Sequence, residues 1–255
     1  MSDAAGNAGQ SNWVLLPGTL CTPDVFDPLL NNLGIGAQRR KFIELNRPDV
    51  ADYRSDLTST ITHGDVVCGF SLGAIVAVHN LDVLQRASAV ILLACNPYAD
   101  PPENRANRES IRDRVIGGHA ADWVHEKAHT MMANVDMALV STVISMAEET
   151  SHIIGAQTDL AAGRPGAVDE ILSSSVPLFF VTGTEDQMTP AERIRDVTEK
   201  SRNAVLTEVA GLGHYALIEN PAAVADAIRV ALDKLKLSRP TERAHAAPKH
   251  TQLAS

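Results

Sequence analysis

One serine and two residues far downstream of it are of the types that nucleophilic catalysis requires. Ser71 lies in the pentapeptide GFSLG at residues 69–73, a G-x-S-x-G pattern that follows an apolar run. Asp186 and His214 each follow a later strand-like run. Because a hydroxyl is a weak nucleophile at neutral pH, it needs a nearby base and an acid that fixes the tautomer of that base. The pattern therefore predicts that Ser71 attacks a carbonyl, His214 accepts its proton and Asp186 orients the imidazole.

The order of these residues along the chain, serine first, then acid, then histidine, adds a resemblance to a known family. A G-x-S-x-G turn between a strand and a helix, followed by the other two residues in this order, resembles the α/β-hydrolase fold superfamily, and within it the small serine esterases with a helical cap. The resemblance covers residues 13–237. It implies a mostly parallel central sheet flanked by helices, with a helical cap inserted before the strand that carries the acid. Glu185, the neighbour of Asp186, is the rival acid.

Acyl transfer also needs hydrogen-bond donors for the charge that develops on the carbonyl oxygen. The resemblance assigns one donor to the backbone N–H of Leu72, directly after the serine. It places the second in the loop after the first strand, where alignment with the family's His-Gly-x motif selects Thr19. Pro17 stands where many relatives carry histidine, so Leu20 is kept as an alternative donor.

Strand-like and helical segments alternate along the chain, which favours a parallel sheet wrapped by helices. Continuous apolar runs are typical of strands buried on both faces. The predicted strands lie near residues 13–16, 40–45, 66–68, 89–94, 178–182 and 205–209. We expect residues 13–95 and 175–237 to form the core and residues 96–174 to form the cap. Residues 1–12 and 238–255 are expected to be flexible termini.

Helical spacing of apolar residues dominates the predicted cap. Helices are expected at residues 72–84 after the serine, from residue 221 to about 235 at the end of the core, and at 109–117, 120–133 and 136–150 in the cap. Charges of both signs crowd residues 103–114. Most of them are expected to form surface ion pairs, but an arginine among them is a candidate for binding a substrate carboxylate, which its planar fork fits.

A competing motif lies in the same segment. His125, Glu126 and His129 fit H-E-x-x-H, which on a helix can bind zinc with the glutamate as base, and Glu148 or Glu149 could supply a third ligand. This pattern keeps a zinc peptidase as an alternative. An ordinary solvated helix explains the three residues equally well, so the prediction is that the protein uses no metal and no cofactor.

Composition narrows the class of partner. The chain has 255 residues, of which 45% are hydrophobic, enough for one large α/β core. Its formal net charge of −9 argues against a nucleic-acid partner. No run reaches the roughly 18 apolar residues of a membrane span, and the first residues do not resemble an export signal. Cys21, Cys68 and Cys95 show no disulfide or C-x-x-C pattern, which predicts a cytoplasmic protein, with Cys21 as a candidate substrate contact.

These patterns predict a serine hydrolase that acts through an acyl-enzyme on a small-molecule carboxylic ester or lactone. The resemblance does not fix the bond, because C–C hydrolases, thioesterases and amidases use the same fold and residues. A small-molecule receptor or signalling partner that retains the three residues is the non-enzymatic alternative. The oligomeric state is not predicted.

Overall fold

A single parallel sheet organises the chain. The computed structural model describes residues 11–238, with side chains as far as residue 234, so the predicted termini lie almost wholly outside the described residues. The strands of the described part follow the order β2-β1-β3-β4-β5-β6, and every neighbouring pair is parallel. They are β1 (Trp13–Leu16), β2 (Arg40–Phe42), β3 (Val66–Phe70), β4 (Ala89–Leu93), β5 (Leu178–Gly183) and β6 (Ala204–Val209). The predicted fold class is confirmed, and each strand lies at a predicted run.

Helices cover both faces of the sheet. They are α1 (Asp27–Leu33), α2 (Arg54–Thr60), α3 (Leu72–His79), α4 (Arg105–Ile116), α5 (Ala120–Met131), α6 (Met137–Glu149), α7 (Ile154–Ala162), α8 (Val168–Ser173), α9 (Glu192–Lys200), α10 (Ala216–Glu219) and α11 (Pro221–Ser238). Successive residues of a strand point to opposite faces. Accordingly, Leu15 packs in a core with α1 and α11, whereas Leu16 packs in a second core with α2, α3 and α9. None of these helices is long and apolar enough to cross a membrane.

The segment between β4 and β5 is helical. It contains α4 to α8 and no strand among the described residues, and α4, α5 and α6 lie at the three helices predicted there. The prediction for residues 72–84 is too long, because α3 ends at His79. The Asn80 side chain donates to the carbonyl oxygens of Val76 and Val50 at 2.8 and 2.9 Å, which ends the helix against a neighbouring loop. That residues 96–174 form a cap on a core of residues 13–95 and 175–237 stays a prediction.

The strand order creates a crevice at the carboxyl edge of the sheet. The chain runs from β1 to the outer strand β2 and then returns to pair β3 with the other side of β1. The loops after β1 and β3 therefore leave the sheet in opposite directions, and such a switch point is where open α/β sheets bind ligands. Both predicted oxyanion donors and the predicted nucleophile follow these two strands.

Gly73 allows the start of α3 to pack directly against the end of β1, and Gly69 allows β3 to pack against the first turn of α3. A Cβ atom on Gly73 would lie 1.9 Å from the carbonyl oxygen of Leu16, and one on Gly69 would lie 2.6 Å from the backbone nitrogen of Ala74. These neighbours are backbone atoms, which cannot move without shifting the strand or the helix. Glycine is therefore required on both sides of Ser71 for steric reasons.

We predict that Gly73→Ala destabilises the protein by about 3 kcal/mol, because overpacking against a fixed backbone must displace β1 or α3. Gly155→Ala is the matched control, since its added Cβ would meet no atom within 4 Å. This second substitution lies in α7 and should stabilise by about 0.5–1 kcal/mol by restricting the unfolded chain. Urea denaturation measures the free energy of unfolding of both variants. Equal changes in this free energy would contradict the steric explanation.

Candidate active site

Ser71 occupies a strained turn between β3 and α3. Its backbone has φ of 50° and ψ of −111°, a conformation that a residue with a side chain rarely adopts. The Ser71 N–H donates to the carbonyl oxygen of Leu93 at 2.9 Å, which fixes the turn to the end of β4. The first turn of α3 begins at Leu72, where backbone N–H groups have no partner within the helix. The serine side chain thus stands beside unpaired donors and the positive end of a helix dipole.

The three predicted catalytic side chains meet at this turn. His214 Nε2 lies 3.0 Å from Ser71 Oγ, and His214 Nδ1 lies 3.0 Å from Asp186 Oδ2. The histidine is 4% exposed and the Asp186 side chain is 0% exposed. One imidazole therefore joins a hydroxyl to a buried carboxylate, in the geometry that general-base activation of a serine requires.

Asp186 lies in a pocket of hydrogen-bond donors. Its Oδ1 accepts from the backbone N–H groups of Met188 and Thr189 at 2.9 and 2.8 Å, and its Oδ2 accepts from the Thr189 hydroxyl. Burial on its own raises the pKa of this carboxyl. The charge and hydrogen bond of His214, together with the Thr189 donors, outweigh burial and lower the pKa from 3.8 to about 2. Asp186 is therefore ionised at neutral pH.

The rival acid does not reach the histidine site. Glu185 is exposed, and its carboxylate accepts a hydrogen bond from the Thr184 hydroxyl at 3.2 Å. Asp186 holds the position beside His214 Nδ1. The geometry supports the choice of Asp186 that the sequence favoured.

A second carboxylate positions the histidine loop. Glu219 accepts from the backbone N–H groups of Gly213 and Ala133 at 3.0 and 2.9 Å. Burial raises the pKa of Glu219 by more than these backbone donors lower it. The ring of Phe70 lies 5.3 Å from that of His214, centroid to centroid. Glu219 therefore ties the loop of His214 to the helical segment, and Phe70 packs against the imidazole.

The two candidate donors in the loop after β1 differ in their surroundings. The Leu20 N–H, the alternative donor, is engaged by Gln157 Oε1 at 3.0 Å, and Leu20 itself adopts a positive φ of 56°. Thr19 and Leu72 both line the cavity at Ser71. This arrangement favours Thr19 as the second donor. The sequence did not indicate Gln157, because a buried glutamine in an apolar helix resembles any other helical residue until its distant partner is known.

A cavity of about 140 Å³ opens beside Ser71 and His214. Its other walls come from the sheet edge and the helical segment and consist of Thr19, Phe70, Leu72, Ile75, Asn96, Arg108, Trp123, Met131, Ala161, Arg164, Met188, Thr189 and Tyr215. Arg108 belongs to the charged stretch in which a substrate-binding arginine was predicted. Arg164 was not identified, because it lies outside that stretch, between α7 and α8. The cavity is thus mostly apolar, with two arginines in one wall.

The zinc motif does not assemble a metal site in the described part of the chain. Glu126 is engaged by Arg114, whose two terminal nitrogens donate to its carboxylate oxygens at 2.6 and 2.5 Å. His125 and His129 are exposed on α5. No three His, Cys, Asp or Glu side chains among residues 11–238 are grouped as metal ligands. The zinc-peptidase hypothesis therefore gains no support from the structure.

Cys21 packs behind the cavity wall. All three cysteines are buried and unpaired, and Cys21 Sγ lies 3.6 Å from the hydroxyl of Tyr215, which itself lines the cavity. Burial raises the pKa of the Cys21 thiol to about 12, more than its hydrogen bonds lower it. Cys21 therefore stays a neutral packing group, and Tyr215 rather than Cys21 is placed to contact a ligand.

The sequence profile of the alpha/beta hydrolase family matches residues 13–227, and the chain belongs to that family. A search of curated proteins finds no match. Among solved structures, a thermophilic esterase from Thermogutta terrifontis with malate bound has a TM-score of 0.76 at 18% identity, over 88% of this chain and 90% of that one. The enol-lactonase from Burkholderia xenovorans LB400 has a TM-score of 0.73 at 13% identity, over 89% and 93%.

A bromoperoxidase from Bacillus anthracis is also similar, with a TM-score of 0.71 at 15% identity, over 88% of this chain and 93% of that one. At such identities the likeness shows the fold alone. Because proteins named for different reactions share it, the substrate must be argued from the site.

The depressed pKa of Asp186 predicts a loss of stability in acid. Its folded-state pKa of about 2 lies below the unfolded value, so ionisation stabilises the fold above pH 4, and this contribution disappears as the pH falls from about 4 through 2. We expect wild type to lose about 2 kcal/mol more than Asp186→Asn over this range. Urea denaturation at fixed pH values gives the free energy of unfolding of each protein as a function of pH. If this free energy falls equally steeply for both proteins, the Asp186 carboxyl is not held in its ionised form.

The Leu20 contact predicts a specific cost for Gln157→Met. The substitution keeps the length of the side chain but leaves a buried Leu20 N–H without an acceptor, which should cost about 1–3 kcal/mol. Gln187→Met, at an exposed glutamine, should change stability by less than about 0.5 kcal/mol. Denaturant titration measures the free energy of unfolding of both variants. If Gln157→Met is as stable as wild type, Gln157 has no role in holding the loop.

Proposed function

We propose that this protein is a serine hydrolase that acts through an acyl-enzyme on a small-molecule carboxylic ester or lactone. The observation that carries the proposal is the continuous hydrogen-bonded path from Ser71 Oγ through His214 to the buried Asp186, at the edge of a cavity. Membership of the alpha/beta hydrolase family supports hydrolysis as the reaction class.

The reaction follows from the positions of these groups. As Ser71 Oγ bonds to the substrate carbonyl carbon, His214 Nε2 accepts the hydroxyl proton and Asp186 stabilises the imidazolium. The backbone N–H groups of Leu72 and Thr19 bind the oxyanion. The C–O bond then breaks, and His214 gives its proton to the departing alcohol. Water attacks the acyl-enzyme by the same route and releases the acid.

Ester and lactone substrates are favoured by chemistry and size. An alcohol leaves a tetrahedral intermediate more easily than an amine does, so this site needs no further device to expel it. The cavity of about 140 Å³ is small beside the roughly 300–1,000 Å³ of typical ligand pockets, which favours short acyl groups. Thioester, amide and C–C bond cleavage are the alternatives that use the same residues. We also infer a cytoplasmic location, which three buried free cysteines support.

The first prediction of this proposal concerns p-nitrophenyl esters from acetate to decanoate. Wild type should hydrolyse the short esters fastest and keep its rate in the presence of a chelator, and Ser71→Ala should lose hydrolysis while its thermal unfolding stays within a few degrees of wild type. Steady-state release of p-nitrophenol measures the rates. A single burst followed by a stable complex would instead identify a receptor, and loss of rate with chelator would revive the zinc hypothesis.

The choice of acid is tested in the same assay. Asp186→Asn should lower kcat about 10⁴-fold, because the amide favours the wrong tautomer of His214. Glu185→Gln is the matched control and should keep kcat within about twofold, since that carboxylate is exposed. The reverse result would assign the role to Glu185.

A further inference from the structure

Two arginines of the cavity wall meet at Asp100, which does not itself line the cavity. Asp100 follows β4, Arg108 lies on α4 and Arg164 lies between α7 and α8. Arg108 Nε and Nη2 donate to the two carboxylate oxygens of Asp100 at 2.8 and 2.6 Å, and Arg164 Nη1 lies 3.5 Å from Asp100 Oδ1. Both arginines line the cavity that contains Ser71. Three separate segments therefore bring two positive charges and one negative charge to the same site.

Arg108 forms a two-hydrogen-bond ion pair with Asp100, so the positive charge of Arg164 is not neutralised within this cluster of three side chains. The Arg164 side chain is only 2% exposed, so its charge has been removed from water. A buried charge is costly unless it is paired and hydrogen-bonded. Its Nη1 donates to the carbonyl oxygen of Ala161 at 2.7 Å, whereas its Nε is buried with no hydrogen-bond partner. Burial lowers the pKa of Arg164, and Asp100 only partly offsets this.

Two other arginines, Arg54 and Arg114, do not share this arrangement. Arg54 pairs with Asp82, and Arg114 pairs with Glu126, each through two hydrogen bonds at an exposed position. These are one-to-one surface pairs, and neither arginine lines the cavity at Ser71. Among the described residues that line the cavity there is no Asp or Glu, although the whole chain carries a formal net charge of −9. The positive wall is therefore a local feature of the ligand cavity.

We propose that Arg164, supported by Arg108, binds a carboxylate carried by the substrate, so that the preferred substrates are half-esters or acid-bearing lactones of small dicarboxylic acids. This inference rests on the proposed function, because it places the ester carbonyl at Ser71. The fork formed by Nε and Nη2 of a guanidinium matches a carboxylate with two parallel hydrogen bonds. Trp123 Nε1, a second buried donor without a partner, belongs to the same wall.

The test compares monomethyl esters of succinate, glutarate and adipate with the corresponding dimethyl esters, which differ mainly in charge. Methanol release gives kcat/KM for each. At the best chain length, wild type should favour the half-ester by about tenfold to a hundredfold, the range expected for hydrogen bonds to a charged group. Arg164→Met should reduce this ratio by about tenfold, and Arg164→Lys, which keeps the charge without the fork, should reduce it less.

Arg112→Met is the matched control, because Arg112 lies on α4 and pairs with Asp113 away from the cavity lining. It should leave the ratio unchanged. If Arg164→Met does not fold, the lysine variant carries the comparison. A wild type that hydrolyses both series but prefers the diester at every length would overturn the carboxylate subsite and leave the proposed function standing.

The two proposals can fail separately. If wild type hydrolyses neither the methyl nor the p-nitrophenyl esters, the proposed function is wrong, and calorimetric titration with monomethyl glutarate then decides the subsite alone. Binding that weakens about tenfold in Arg164→Met supports the subsite, and absence of binding, or equal binding to both proteins, overturns it. If only the methyl esters are not hydrolysed, the same titration is performed on Ser71→Ala with and without Arg164→Met.

Discussion

The close approach of the turn after β3 to the end of β1 is the constraint on which the site depends. At Gly73 the two backbones leave no space for a Cβ atom, so the helix start is pressed against the strand end. This contact places the Ser71 turn beside the loop that carries Thr19, at the position where the strand order reverses. The strained dihedral angles of Ser71 persist because β1 on one side and β4 on the other fix both flanks of the turn.

Two buried carboxylates near the cavity are stabilised in different ways. Asp186 accepts hydrogen bonds from neutral backbone donors and lies beside the imidazole of His214. Asp100 is neutralised by a guanidinium fork and keeps a second guanidinium nearby. The first arrangement places a negative charge beside an imidazole, and the second leaves positive charge in the cavity wall. The same cavity thus presents two distinct electrostatic environments to one ligand.

The sequence predicts the sheet and the meeting of three candidate catalytic residues because both depend on local patterns. Each buried strand is a short apolar run, and Ser71, Asp186 and His214 each follow such a run, so their shared edge is implied by parallel pairing. Gln157 and Arg164 could not be predicted in this way. Their partners, Leu20 and Asp100, lie 137 and 64 residues away in the chain, and no spacing rule links residues so far apart. Of the five helices in residues 96–174, the sequence predicted only the three with strong apolar periodicity.

Several hydrogen bonds connect the helical segment between β4 and β5 to the loops at the carboxyl edge of the sheet, and two of them involve a buried or half-buried side chain. Gln157 holds the Leu20 backbone, and Glu219 joins the Ala133 backbone to that of Gly213, next to the histidine. The segment is therefore not an interchangeable module. Transplanting the corresponding segment of a relative into this chain would remove Gln157, and it would keep the Glu219 contact only if a backbone N–H occupied the position of Ala133. Recombination within this fold would have to transfer the anchoring residues together with the pocket they support.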